Sequence, residues 1–255
     1  MTISTMLNKS VKKAFQFLLI FFIWTAVWWI ASLIVDTRFP DLLPSPLDTF
    51  IALCDLMKQG YFYKVLIFTS LRVVIALLLG IALGSLVAFP CHKITLLRRL
   101  ISPLVAVTKA MPVATFILLL WVTIRGSALT IFIGFIMVTP IIYQNMLAGL
   151  DSIDKELIEV TKIFGFKRGK ALRMLILPSL KSYLSPAIIT SVGLAFKAQV
   201  AAEIIAYTNK SIGQYIYDAN FVGNSDTTFA WAVVIVALSI GLEWLCRGLL
   251  GRTKK

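Results

Sequence analysis

Few residues in this chain could do covalent chemistry. The stretch Gly165 to Ala171, GFKRGKA, comes nearest, because it approaches a phosphate-cradling loop. Such a loop needs G-x-x-x-x-G-K-[ST], since backbone amides, a lysine and a magnesium-binding hydroxyl must converge on one nucleotide. Here three residues, not four, separate Gly165 from Gly169, and Ala171 stands where the hydroxyl is required. The single histidine, His92, lies beside Lys93 in a short basic loop, a solvated position and not that of a ligand or base. Cys54, Cys91 and Cys246 are far apart and odd in number, with neither CxxC nor histidine spacing, so neither a disulfide framework nor a metal site is implied. There is no nucleophile elbow, no H-E-x-x-H and no pair of intramembrane aspartates, which leaves intramembrane hydrolysis without a constellation.

What remains is charge inside apolar runs. An ionisable group at the centre of a bilayer costs about 2.5 to 3.5 kcal/mol on insertion scales, so each needs a partner or a wet cavity. Arg72 and Glu203 can neutralise one another, or can take a direct part in substrate passage. Glu243 has Arg247 four residues on, the spacing of a helical ion pair. Lys109 can snorkel to the inner interface. Lys197 lies six residues before Glu203, about 240° round a helix, so those two cannot pair as helical neighbours. With Gln199 two residues on, Lys197 either holds an anionic ligand or pairs with a carboxylate of another span.

The elements that must position these groups are membrane helices. With 59% hydrophobic and 15% charged residues over 255 positions, the chain is an integral membrane protein and not a soluble domain. Runs long enough to cross about 30 Å of hydrocarbon lie at about 14–35, 64–89, 100–124, 127–149, 185–207 and 229–250, which reads as one all-α domain of six spans over residues 1–255. The third is interrupted by Lys109 and Pro112, and the second carries Ala76, Gly80, Gly84 and Ala88 every fourth residue, a stripe for close helix packing. Pro46 to Gly60 reads as an amphipathic helix on the outer surface, with proline in its first turn. A net charge of +13 would suggest nucleic acid in a soluble chain. Here the basic residues sit between apolar segments, so no nucleic-acid partner is expected. With both termini inside, cytoplasmic segments hold 17 Lys and Arg and outer segments hold 5, the bias that fixes orientation.

The longest polar interval, Asp151 to Pro178, is too long and too patterned for a bare turn. Asp154 can cap a helix over Lys155 to Phe164, Glu156 suits the first turn, and Gly165 suits a left-handed corner. A second helical run from Lys170 is expected to stop before Pro178. An amphipathic helix, a glycine corner and a second helix make either a solvated loop or a tip that enters a partner's groove.

E-V-T-K-I-F-G followed by nine residues and L-I-L-P resembles the E-A-A-x-x-x-G-x₉-I-x-L-P motif of permease subunits of binding-protein-dependent ABC importers. Glu159, Gly165, Leu177 and Pro178 match, while Val160, Thr161 and Leu175 depart from the two alanines and the isoleucine. The resemblance extends through L-L-P-S-P at Leu42 to Pro46, S-L-R-V-V at Ser70 to Val74, K-A-M-P at Lys109 to Pro112, and A-E-I-I-A at Ala202 to Ala206 followed by S-I-G at Ser211 to Gly213. Together these resemble the nitrate, sulfonate and taurine group, which also includes carriers of vitamin precursors. The resemblance implies the ABC importer permease fold, with a cytoplasmic coupling-helix loop at 151–178. Its implied partners are a second permease copy, two cytoplasmic ATP-binding subunits, an external substrate-binding protein and membrane lipid, in the plasma membrane of a prokaryote. ATP and magnesium would be bound by the ATPase, with no cofactor on this chain and no enzymatic activity of its own. Glu159, Thr161, Lys162, Phe164, Gly165 and Pro178 would make the ATPase coupling, and Lys197, Gln199, Glu203 and Arg72 are candidates for the substrate path. A self-contained secondary carrier or channel is the competing reading, but it would leave the patterned loop idle.

Overall fold

A computed structural model describes residues 3–154, 156, 163, 166 and 168–251. The described residues are helical throughout their regular structure: α1 (Ile3–Asp36), α2 (Pro46–Lys58), α3 (Gly60–Lys93), α4 (Thr95–Ala110), α5 (Val113–Trp121), α6 (Gly126–Asp151), α7 (Leu177–Ile205), α8 (Ile212–Phe221) and α9 (Ser225–Gly251). Five helical stretches are long and apolar enough to cross a membrane. A sixth span is obtained if α4 and α5 are taken together, and these meet at a 99° bend. The bend falls at Met111 and Pro112, where a proline without an N–H ends the ladder of α4 and restarts it as α5.

The chain divides into two compact units, Met1–Phe62 with Ile216–Val233 and Tyr63–Tyr215 with Val234–Lys255. In the first, Ser45 caps α2 by accepting from the Asp48 N–H at 3.2 Å, with Pro46 in the first turn. The Trp28 indole donates to the Pro44 carbonyl at 3.1 Å, and Phe62 packs on Trp231 with ring centroids 5.3 Å apart. The second unit is built on α3, α6 and α7. Val73, Leu77, Val138, Ile142, Val192 and Phe196 form its central apolar cluster.

The small-residue stripe of α3 does what its spacing suggests, letting the α6 backbone come close. A Cβ at Gly84 would lie 2.9 Å from the Thr139 carbonyl oxygen and the Tyr143 nitrogen, and one at Gly80 would lie 2.6 Å from Val138. The approach is matched from the other side, where a Cβ on Gly134 would meet Ala76 at 2.8 Å.

One expectation is corrected. The helical run after Gly169 does not stop before Pro178. An α turn at Arg168–Ala171 passes through a π-helical segment, Leu172–Ile176, directly into α7. Pro178 therefore sits in the first turn of a renewed α-helix, where a missing N–H removes no required bond. The π turns absorb the change of register, and Ser179 Oγ donates to the Leu175 carbonyl at 2.9 Å. The helix that carries the fifth apolar run, 185–207, accordingly begins at Leu177, eight residues before Ser185.

Candidate functional site

The densest polar cluster in the second unit centres on Glu203, two residues before the end of α7 and fully buried. An ionised carboxylate is tolerated there only if it is surrounded by donors. Arg72 Nη1 donates at 3.1 Å, Thr69 Oγ1 lies 3.0 Å away, the Gly213 N–H donates at 3.2 Å and Gln199 Nε2 at 3.4 Å. Arg72 and Glu203 thus form a buried ion pair, as charge neutralisation between apolar runs requires.

Arg72 spreads its remaining donors over three further acceptors. Nε reaches Ser127 Oγ at 3.0 Å, Nη2 the Asn209 carbonyl at 3.2 Å and Nη1 the Lys210 carbonyl at 3.4 Å. The planar guanidinium fork makes this bridging possible where an ammonium would not. Thr69 Oγ1 also accepts from the Ile212 N–H at 3.1 Å. Through one ion pair, α3, the start of α6, the end of α7 and the loop from Ala206 to Gly213 are held together.

That loop turns twice through left-handed backbone, at Tyr207 (φ 46) and Lys210 (φ 54). It then enters α8 at Gly213, where a Cβ would stand 2.4 Å from Glu203 Cβ, so only glycine fits. Ser211 Oγ accepts from the Gln214 N–H at 3.0 Å, capping α8. Of the sequence candidates, Arg72, Gln199 and Glu203 are thus brought into one network, to which Thr69, Ser127 and Gly213 must be added. The signal for Gly213 lay in the sequence, where S-I-G follows A-E-I-I-A within ten residues. Lys197 is not part of the network. It is exposed on another face of α7, and no carboxylate lies within ion-pair distance of it among the described residues.

A second polar constellation lies between α4 and α6. Asp151, at the C-terminal end of α6, accepts from Arg98 Nη1 at 2.8 Å and lies 2.7 Å from His92 Nδ1. Further along the same cleft, whose volume is about 650 Å³, Lys109 Nζ donates to Gln144 Oε1 at 2.9 Å. Lys109 therefore finds an amide on α6 where the sequence suggested a reach to the interface. Asp154 accepts from the Glu156 N–H at 2.8 Å, and most of the helix expected over Lys155 to Phe164 lies outside the described residues. Glu159, Thr161, Lys162, Phe164 and Gly165 lie outside the described residues. On the C-terminal side of the interval, Lys170 Nζ stands 4.4 Å over the Phe166 ring, within cation–π range. On α9, Glu243 and Arg247 pair at 3.5 Å, four residues apart.

Apolar helices that pack through glycines, a polar interval between two of them, and a buried ion pair that ties helices together define a multi-pass membrane protein. Residues 80–255 match the family of binding-protein-dependent transport system inner membrane components, and the chain belongs to that family. It is a multi-pass membrane protein and a permease subunit of the ABC importer class, whose members work with an ATPase and a substrate-binding protein. It is 24% identical to the taurine transport system permease protein of Escherichia coli over 88% of this chain and 82% of that one. It is 26% identical to the nitrate import permease protein of Synechococcus elongatus over 68% of this chain and 62% of that one. Among solved structures, a bacterial ABC transporter involved in the import of alginate superposes with a TM-score of 0.62 at 17% identity, covering 98% of this chain and 99% of that one. That likeness shows the fold.

Proposed function

We propose that two copies of this chain form the membrane path of an importer. Each copy couples to one of two cytoplasmic ATP-binding subunits and receives solute from an external binding protein. The chain itself hydrolyses nothing. ATP and magnesium belong to the ATPase, consistent with the failed match at Gly165 to Ala171. Both termini face the cytoplasm of a prokaryotic cell, the side favoured by the distribution of Lys and Arg.

The observation that carries this reading is the interval between α6 and α7. Glu159, Gly165 and Pro178 stand in the register of the permease motif, and the start of the interval is fastened to the body by Asp151, held by Arg98. Glu159, Thr161, Lys162, Phe164 and Gly165 contact the ATPase, and Pro178 transmits the motion into α7. When the ATP-binding subunits close, the two intervals are drawn together and the helices turn as rigid bodies, exposing the path to alternate sides.

The imported solute is small, and either anionic, like the sulfonates and nitrate suggested by the relatives, or a vitamin precursor. Of the four path candidates, Lys197 is the one left to meet it, since Arg72, Gln199 and Glu203 are engaged in holding the outer loop. Co-expression tests the assignment. The chain should co-purify with a separate ATP-binding subunit, and vesicles should take up solute only with binding protein outside and ATP inside. Uptake by this chain alone would instead identify a secondary carrier.

A further inference from the structure

Two stripes face each other across the cleft between α4 and α6. Arg98, Ser102, Val105 and Lys109 run along α4, and Gln144, Ala148 and Asp151 along α6, each at the three-to-four-residue spacing of one helix face. One end of the cleft is electrically balanced, because Arg98 and Asp151 pair there at 2.8 Å. The other end is not. Lys109 lies eleven residues beyond Arg98, about 16 Å along a helix of 1.5 Å rise, and its only partner among the described residues is a neutral amide oxygen.

Both Lys109 and Gln144 are exposed on their helices. A charged ammonium within an apolar span, on a face left open by its own chain, does not face hydrocarbon; it faces water or protein. A carboxylate from a second copy is a poor candidate for covering it. Among the described residues, the carboxylates in the interior of spans, Glu203 and Glu243, are already paired with Arg72 and Arg247. Lys109 also stands two residues before the 99° break in its span, the kind of interruption at which transporters place their binding sites.

We propose that this cleft is a station on the solute path that holds the anionic group of the permeating molecule, a carboxylate or a sulfonate. Lys109 Nζ supplies the charge. Gln144, whose amide oxygen Lys109 holds, presents its amide NH₂ as a second donor to an oxygen of the same group. The inference rests on the permease reading above. It adds to Lys197 a second cation, placed toward the cytoplasmic end of the path.

The test reads the potential in the cleft directly. In a background with Cys54, Cys91 and Cys246 replaced by alanine, Ala106→Cys and Ala148→Cys place a thiol on either wall, and two positions guard against one misfolding. The complete transporter in phosphatidylcholine nanodiscs is treated with anionic ethylsulfonate and cationic ethyltrimethylammonium methanethiosulfonates. Both thiols are expected to react, and Lys109→Met is expected to lower the anion-to-cation rate ratio about tenfold, as loss of one nearby unit charge implies. Thiols that ignore both reagents, or a ratio indifferent to Lys109→Met, overturn the proposal. So does a ratio that collapses when phosphatidylglycerol is added to the discs, which would assign the cleft to a lipid phosphate. Uptake by the alanine-background parent is measured in parallel, so that failure of the permease reading is seen separately from failure of the station.

Discussion

Glu203 decides how the end of the second unit that carries the Ala206 to Gly213 loop is held. Replacing it with glutamine keeps shape and most hydrogen bonding but leaves Arg72 charged, buried and unpaired. Removing one partner of a buried pair costs about 3 to 5 kcal/mol. Glu203→Gln is therefore expected to lower the unfolding midpoint of the detergent-solubilised protein, followed by its six tryptophans. Adding Arg72→Met should cost less than the sum of the single changes, since it removes the orphaned charge. Strict additivity would mean the two groups do not interact. Gly213→Ala is a second probe of the same point. Its Cβ would fall 2.4 Å from Glu203 Cβ and against backbone, so it should destabilise, whereas an ordinary glycine-to-alanine change in a helix is favourable.

At the scale of elements, the α3 and α6 contact is set by backbone approach. Gly84→Ala pushes against the Thr139 carbonyl and the Tyr143 nitrogen, and Gly80→Ala against Val138 Cβ at 2.7 Å, none of which can rotate away. Both are expected to destabilise, with about 1 to 3 kcal/mol typical of overpacking. A neutral or stabilising effect of either change in thermal unfolding would rule out close backbone approach. This contact was legible in the sequence, because a four-residue repeat of small residues has one strong physical meaning in a membrane helix. The Arg72 and Glu203 pair was legible too, since two opposite charges in apolar runs have few other remedies. Lys109 and Gln144 were not, because 35 residues separate them and nothing local marks a cross-helix bond. Pro178 was misread for a related reason. Proline signals a break, but whether the chain stops or changes register through a π segment depends on the bonds its neighbours make, and here Ser179 returns one to the preceding turn.

At the scale of the whole molecule, the proposed function makes coupling and passage separable, because it puts them on different parts of the chain. Gly165 lies in the interval proposed to meet the ATPase, and Lys197 lies on an exposed face of α7. On the proposed coupling, Gly165→Trp should abolish uptake and weaken co-purification with the ATP-binding subunit, since an indole in place of a hydrogen alters any surface that a partner's groove must accept. Lys197→Met should lower uptake while leaving assembly and basal ATP hydrolysis intact, because on the proposed path it removes a charge that meets solute and no described contact that holds helices together. The decisive comparison is the ratio of solute moved to ATP hydrolysed in reconstituted vesicles. Lys197→Met should reduce that ratio with hydrolysis unchanged, whereas Gly165→Trp should lose both stimulation by the binding protein and transport. If Lys197→Met instead dissociates the complex, its side chain is buried against a second copy, and the solute path must be sought along another face.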